Sequence, residues 1–447
     1  MFALKLDVQW TAWVAALAKP LHGRLAWRLP AVVAGILLAS GRRTATRWWH
    51  AAGIGRAFRS YYYFLDSVGR KTRPVAAALL EIVLDRVPAG DRLVFALDDT
   101  PTKRPGPKVQ GAGIHHNPTP GPAGSKFLYG QSWVTLSRVA HHARCGVIGL
   151  PLLGMLYVRK KDVPSLPAGA GITFATKLEM AAEAVTWLRD QLPGDDMAAW
   201  VVVDGGYAKR GFLKPAVRAR FVVVARLRKD AALCDLPPVL PPGQKRGRGR
   251  PPTYGKNHPS LAKRAGQTRG WKEVTAKATT GRSVTKRYKT FLATWRPAGG
   301  LIRVVILKED DGSWRAFLCT DAGASVEAIV QVIHDRWAIE QNYHDLKEVE
   351  RIEQVQLRRV WANVGALNLS LWVHTLVEMW AWDRPEASLS DRGDRPWDDA
   401  SRRPSHADRG KSLRRAMLEE EYQRLDVPEP WSVKIRHLLA SVVKLAA

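Results

Sequence analysis

Carboxylates that follow apolar runs are the groups in this 447-residue chain best placed to do chemistry. Asp98 and Asp99 end the run LVFALDDT, Asp204 ends WVVVDGG, and Glu340 lies within VEAIVQVIHDRWAIEQNYHDLKEVE at 326–350. A strand that delivers a carboxylate at its end marks a site. Singly, each acid has an ordinary explanation, since a strand-end Asp is more often a turn former or a helix cap. Together, Asp98, Asp204 and Glu340 suit phosphodiester cleavage. Two Mg²⁺ ions roughly 3.5–4 Å apart activate a water or a 3′-hydroxyl on one side and stabilise the leaving oxygen on the other. Hard oxygen ligands suit Mg²⁺, with Mn²⁺ as a substitute, and clustered carboxylates need cations to stay ionised together. Asp98 and Asp99 are adjacent, so either could be the ligand, and Asp98 is favoured.

Only a fold can bring these acids together. The stretch 326–350 reads as a helix, because no Gly or Pro interrupts it and Val326, Ile329, Val330, Ile333 and Trp337 recur at three- and four-residue steps. At 3.6 residues per turn, Glu340 lies about 20° around from Ile333 and Lys347 about 20° from Glu340, so a carboxylate and an amine extend the apolar stripe. That is costly without partners. Arg336, one turn earlier, supplies one partner and a metal ion another; alternatively the stripe ends at Trp337, and Arg336, Glu340 and Lys347 are solvated helix pairs.

The remaining elements lead to the aspartates. LVFALDDT and the runs Leu128 to Val139 and Cys145 to Leu153 predict three strands in an antiparallel meander. Thr173 to Leu192 has helical spacing and stops before Pro193. Trp200 to Val203 is short and wholly apolar, as in a strand buried on both faces, and Gly205 and Gly206 let the chain turn sharply after Asp204. Another strand follows at Phe221 to Ala225.

The composition names the class of partner. Against 41 acidic residues stand 69 Lys and Arg, a formal charge of +28. Spread along the chain rather than held on one amphipathic helix, this charge points to nucleic acid and not to a membrane. Three scattered cysteines exclude a disulfide scaffold and zinc fingers and suit a reducing cytoplasm. The N-terminus lacks a cleavable signal pattern, and the longest apolar runs are too short to span a membrane or are broken by Asn368, His374 and Glu378, so the reading is a soluble protein. Before residue 90 the pattern is helical, with arginines interleaved among Trp48, Trp49 and Tyr61 to Tyr63, which suits a compact DNA-binding domain of helix-turn-helix character. From about 227 to 325, Pro/Gly-rich and basic sequence alternates with short β-type runs. Within it, Arg248 and Arg250 of KRGRGRP match a minor-groove AT-hook core, although a solvated loop explains them as well. The polar stretch from Asp383 to about Lys411 reads as a flexible link to a last helix or two, Leu413 to Leu425 and Val433 to Leu445.

With these residues in place, the chain resembles DDE transposases of bacterial insertion sequences, in the class whose ribonuclease H-like core carries a β-rich insertion before the last catalytic helix. The resemblance rests on LDDT at 97–100, VVVDGGYAKRGF at 201–212 and DRWAIEQNYHDLKEV at 335–349, and covers roughly residues 90–382. That class has a Tyr-x2-Arg-x3-Glu-x6-Lys signature; Arg336, Glu340 and Lys347 match it, whereas its Tyr falls on Ile333. The resemblance implies an α/β fold: a ribonuclease H-like mixed-sheet core in two parts (91–226 and 326–382), a helical N-terminal DNA-binding domain (1–90), a β-rich insertion (227–325) and a helical C-terminal region (383–447). It implies cleavage at transposon ends and strand transfer into target DNA by a homodimer on paired ends, with nucleoid association. Asp98, Asp204 and Glu340 then bind the metals, and Arg336 and Lys347 contact phosphates. Relatives that hold a flipped base on an aromatic residue of the insertion make Trp271, Trp295 and Trp314 candidates for that role.

Overall fold

The computed structural model describes residues 8–117, 124–194, 197–238, 249–278, 280–390, 397–399 and 401–423, together with 433, 435, 438 and 442. Helices α1 (Val8–Ala18), α2 (Gly23–Ala26), α3 (Leu29–Leu38), α4 (Ala45–Ala51), α5 (Phe58–Gly69) and α6 (Thr72–Arg86) lead into strands β1 (Leu93–Lys103), β2 (Gly113–His116), β3 (Phe127–His142) and β4 (Gly146–Tyr157). Helix α7 (Lys177–Gln191), strand β5 (Ala199–Val203), helix α8 (Arg210–Arg218) and strand β6 (Phe221–Leu227) follow. Then come α9 (Leu261–Gly266), β7 (Lys272–Lys277), β8 (Ser283–Trp295), β9 (Gly300–Lys308) and β10 (Trp314–Cys319). The chain continues through α10 (Val326–Asp335), α11 (Trp337–His344), α12 (Val360–Ala381), α13 (Glu386–Leu389) and α14 (His406–Gln423).

The mixed sheet has the ribonuclease H-like order β4-β3-β1-β5-β6, with β3 antiparallel to β4 and β1, and β1, β5 and β6 parallel. The predicted meander is therefore present. The two parallel crossovers run through α7 and α8, which cover one face, while α10 and α11 cover the other. Buried on both faces, β1 over Leu93–Leu97 and β5 throughout are apolar, as parallel strands inside an α/β layer must be. Strands from the 227–325 segment extend this same sheet: β10 pairs antiparallel with β6, and β9, β8 and β7 follow outward.

Helix α12 is long and apolar enough to cross a membrane, yet 94% of its most apolar window is buried inside the fold. Its polar residues explain its place there. Asn368 bonds both the N–H and the C=O of Gly154, and Trp372 and Thr375 donate to the carbonyls of Leu152 and Pro151. Spaced at about one helical turn, they satisfy the edge of β4 and close it.

The N-terminal helices share the main core. Trp48, Trp49 and Tyr61 are buried with Phe95 of β1 and Trp372 of α12, so their interleaving with arginine reflects packing, while Tyr63 stays exposed. Where α5 crosses α12, a Cβ on Gly69 would strike the Trp361 carbonyl and one on Gly365 the Leu65 carbonyl. Backbone contacts cannot yield as side chains do, so Gly365→Ala is expected to cost roughly 1–3 kcal/mol or more by overpacking, read as a lowered denaturant midpoint at unchanged slope. The stretch from Asp383 to Lys411, predicted as a flexible link, instead holds α13 and the start of α14 and buries His406 and Arg409. Burial of these cations is possible because carboxylates of α12 and of residue 350 meet them. The second helix predicted there, Val433 to Leu445, lies almost wholly outside the described residues.

Candidate active site on the sheet face

Alternation along β1 decides where its two aspartates point. Leu93, Phe95 and Leu97 pack on the α7–α8 side, and Val94 and Ala96 on the α10–α11 side. Successive side chains of a strand take opposite faces, so Asp98 joins the α10–α11 side and Asp99 the other. The hydrogen bonds agree. Asp98 accepts from Arg336 at 2.9 Å, whereas Asp99 meets Lys177 of α7 and accepts the Tyr207 hydroxyl at 3.0 Å. Strand β5 has the same phase, with Trp200 and Val202 toward α10–α11. Leu97 pairs with Val203 across the parallel ladder, so Asp98 and Asp204 are the next positions on neighbouring strands, on one face. Asp204 is solvent-exposed and caps the turn that follows, taking the Gly206 N–H at 3.3 Å. Tyr207 ends that turn, and its bond to Asp99 ties the Asp204 loop to the strand carrying Asp98.

The predicted helix over 326–350 runs with two irregularities. A single tightened turn at Arg336 separates α10 from α11, and Asp345–Val349 is π-helical. Val326, Ile329 and Val330 face the core as expected, but the stripe passes to Ala338 and Ile339 and leaves Trp337 57% exposed, which corrects its assignment to the core. Arg336 stands between two carboxylates, donating to Asp98 and, at 2.5 Å, to Glu340. One guanidinium thus joins the strand-end acid to the helix acid. Asp98, Asp204 and Glu340 converge, the first two by register and the third through Arg336.

Burial dominates the electrostatics of Asp98. Desolvation pushes its carboxyl up to about 7 against the opposing pull of Arg336 and the Asp99 N–H, and the charges of Asp99 and Asp204 raise it further. A buried carboxylate with acids beside it and one shared Arg lacks positive charge, and an oxygen-rich donor set in that state fits a divalent cation. Tyr343, three residues after Glu340, is half-buried with its hydroxyl 2.6 Å from that of Thr135; desolvation and nearby Asp98 hold it neutral. The Tyr207 phenol is likewise raised, by burial and then Asp99. Sequence reasoning missed Tyr343, Tyr207 and Lys177, although Tyr343 shares the helical phase of Arg336 and Glu340, and Tyr207 closes the DGGY turn.

Beside the acids, a cavity of about 240 Å³ is walled by Asp204, Arg226, Lys286, Arg315, Arg336 and Trp337. Lys347 lies in the π turn, half-buried, with its amine lowered by desolvation against the pull of Glu353 and Glu348. The π turn shifts its phase away from the simple extension of the Glu340 stripe. Arg250 is exposed, and Arg248 lies outside the described residues. Of the insertion tryptophans, Trp295 is core, while Trp271 and Trp314 are partly buried beneath the ammonium groups of Lys289 and Lys229.

The family described as DDE superfamily endonuclease matches residues 17–296, a span that includes Asp98 and Asp204 and ends before Glu340. No curated protein matches the chain. A cryo-EM structure of a piggyBac transposase synaptic complex with hairpin DNA is similar at TM-score 0.39 and 9% identity, over 93% of this chain and 74% of that one.

Proposed function

Because the chain belongs to the DDE superfamily of endonucleases, we propose that it is a divalent-metal-dependent DNA transposase that cuts transposon ends and joins them to target DNA. The observation that carries this reading is the convergence of Asp98, Asp204 and Glu340 on one face of the sheet, with Arg336 between Asp98 and Glu340. These three carboxylates are the metal ligands. Bound Mg²⁺ ions supply an activated water or 3′-hydroxyl and stabilise the departing oxygen. Arg336 partly neutralises Asp98 and Glu340 and has further N–H donors for phosphate oxygens. Asp99, Lys177 and Tyr207 hold the two aspartate-bearing segments in register.

Double-stranded DNA is the substrate in this reading. Past Asp98, β1 runs out to exposed Lys103, and Arg42, Lys108 and Arg358 join it around a groove of about 710 Å³. Such a cationic strip suits a phosphate backbone, and affinity should fall steeply with salt. Lys347, whose charge neighbours include Lys103 and Glu353, lies close to this strip. Transposition handles two ends together, so the chain acts as a homodimer on paired ends.

The test uses supercoiled plasmid bearing the element's ends, with target DNA and Mg²⁺. Cleavage at the ends followed by joining of 3′ ends to target is the expected outcome. Cleavage without joining would make the protein a structure-specific nuclease. Binding with no cleavage, unchanged by Glu340→Gln, would make it an inactive DNA-binding descendant.

A further inference from the structure

Behind the helix that carries Glu340, a second cluster of ligand-type side chains is buried away from the acidic face. Glu350 follows the π turn, His374 lies in the middle of α12, and His406 opens α14. Their ligand atoms all lie within 4.8 Å of one another. His374 Nδ1 is 3.0 Å and His406 Nε2 3.2 Å from the same oxygen, Glu350 Oε1. Zinc bonds of about 2.0–2.2 Å in a tetrahedron separate neighbouring ligand atoms by roughly 3.3 Å, so both distances are near the edge length of such a site, and the two imidazoles, stacked 3.7 Å apart and 14° from parallel, must tilt to aim both nitrogens at one ion.

Two independent features point to an ion rather than to a closed hydrogen-bond network. The other oxygen of Glu350 is buried and has no hydrogen-bond partner among the described residues. The far nitrogen of His406, Nδ1, is 2.6 Å from Glu378 Oε1, and Glu378 is held in turn by Arg409. A carboxylate on the second ring nitrogen is the arrangement that fixes the tautomer and orientation of a metal-bound histidine. A cavity of about 240 Å³ borders His374, Glu378 and His406 and can admit a water as a further ligand.

We propose that Glu350, His374 and His406 form a structural site for Zn²⁺ or a similar borderline cation, distinct from the carboxylate site and clamping α12 and α14 to the end of the helix that carries Glu340. Two imidazoles and one carboxylate favour Zn²⁺ or Co²⁺ over Mg²⁺, which prefers oxygen ligands alone. The clamp fixes the C-terminal end of that helix where the π turn would otherwise be its least regular part.

The experiment uses the full chain without a histidine tag, stripped by chelator and incubated with Zn²⁺ or Co²⁺. Wild-type protein is expected to retain one Zn²⁺ per chain through gel filtration and to gain several degrees in melting temperature on loading. The Co²⁺ form should show visible absorption of a low-coordinate nitrogen- and oxygen-ligated ion. His374→Gln/His406→Gln should lose both the bound Zn²⁺ and the thermal gain, whereas Asp98→Asn should keep both. Should the double variant fail to fold, competition between wild-type protein and a chromophoric chelator reads the affinity directly. Substoichiometric uptake by folded wild-type protein, or full uptake by the double variant, would overturn the proposal. Loss of uptake in Asp98→Asn would assign the ion to the carboxylate site and overturn it equally.

Discussion

Asp98→Asn is expected to reduce DNA cleavage by roughly 10³-fold or more, while Asp99→Asn, one residue along, reduces it by less than about tenfold. The difference follows from the parity of β1. Asp98 shares its sheet face with Asp204 and, through Arg336, with Glu340. A metal-binding carboxylate contributes several kcal/mol of charge stabilisation, which corresponds to the larger factor. Asp99 looks into the opposite layer, toward Lys177 and Tyr207. An Asn there still accepts the Tyr207 hydroxyl, so the Asp204 turn remains tied to β1 and only the pairing with Lys177 weakens. DNA affinity should be unchanged or slightly tighter in both variants, because each removes a negative charge from a protein of formal charge +28. Measured side by side on one labelled end substrate, equal losses for the two variants would shift the ligand assignment to Asp99 and undo the geometric argument.

That parity was beyond the reach of the sequence for a physical reason. Leu93 to Leu97 are all apolar because helices cover both faces of β1, so no alternation tells which aspartate belongs to which face. What could be read was an apolar run stopping at a carboxylate, and Asp204 and its Gly-Gly turn were legible in the same way. The core strands and the helix over 326–350 emerged from periodicity, since burial imposes it. The tightened turn at Arg336, the π turn and the exposure of Trp337 did not, because each depends on where the helix must present Arg336 and Glu340 to the strands. Distant pairings were equally silent: nothing local to His374 or His406 announces that they stack 3.7 Å apart against Glu350. The tryptophans and tyrosines among the N-terminal arginines pointed two ways, because an aromatic beside a cation can stack on a base or fill a core. The close approach of α5 and α12 through Gly69 and Gly365 fits the second for Trp48, Trp49 and Tyr61.

In metal-free protein, Asp98→Asn should also stabilise the fold, and only above mildly acidic pH. The Asp98 carboxyl is raised from 3.8 to about 7, chiefly by burial, so the folded state binds its proton more tightly than the unfolded chain does. Stability then falls as pH rises from the unfolded value toward the folded one, because the unfolded chain ionises first; above about 7 the loss is complete. With the side chain only 17% exposed, linkage sets this loss at up to roughly 4 kcal/mol. An Asn at 98 does not titrate and avoids it. Chemical denaturation in chelator should therefore give nearly equal midpoints for wild type and Asp98→Asn near pH 4, with the variant ahead by several tenths molar near pH 8. A variant no more stable than wild type at pH 8 would mean that Arg336 already balances Asp98, removing the main electrostatic reason for a cation at this site. Adding Mg²⁺ at pH 8 should narrow the gap by stabilising wild type alone, since only wild type has a buried charge to compensate. The residue expected to contribute most to cleavage is thus also one that the fold bears at a cost.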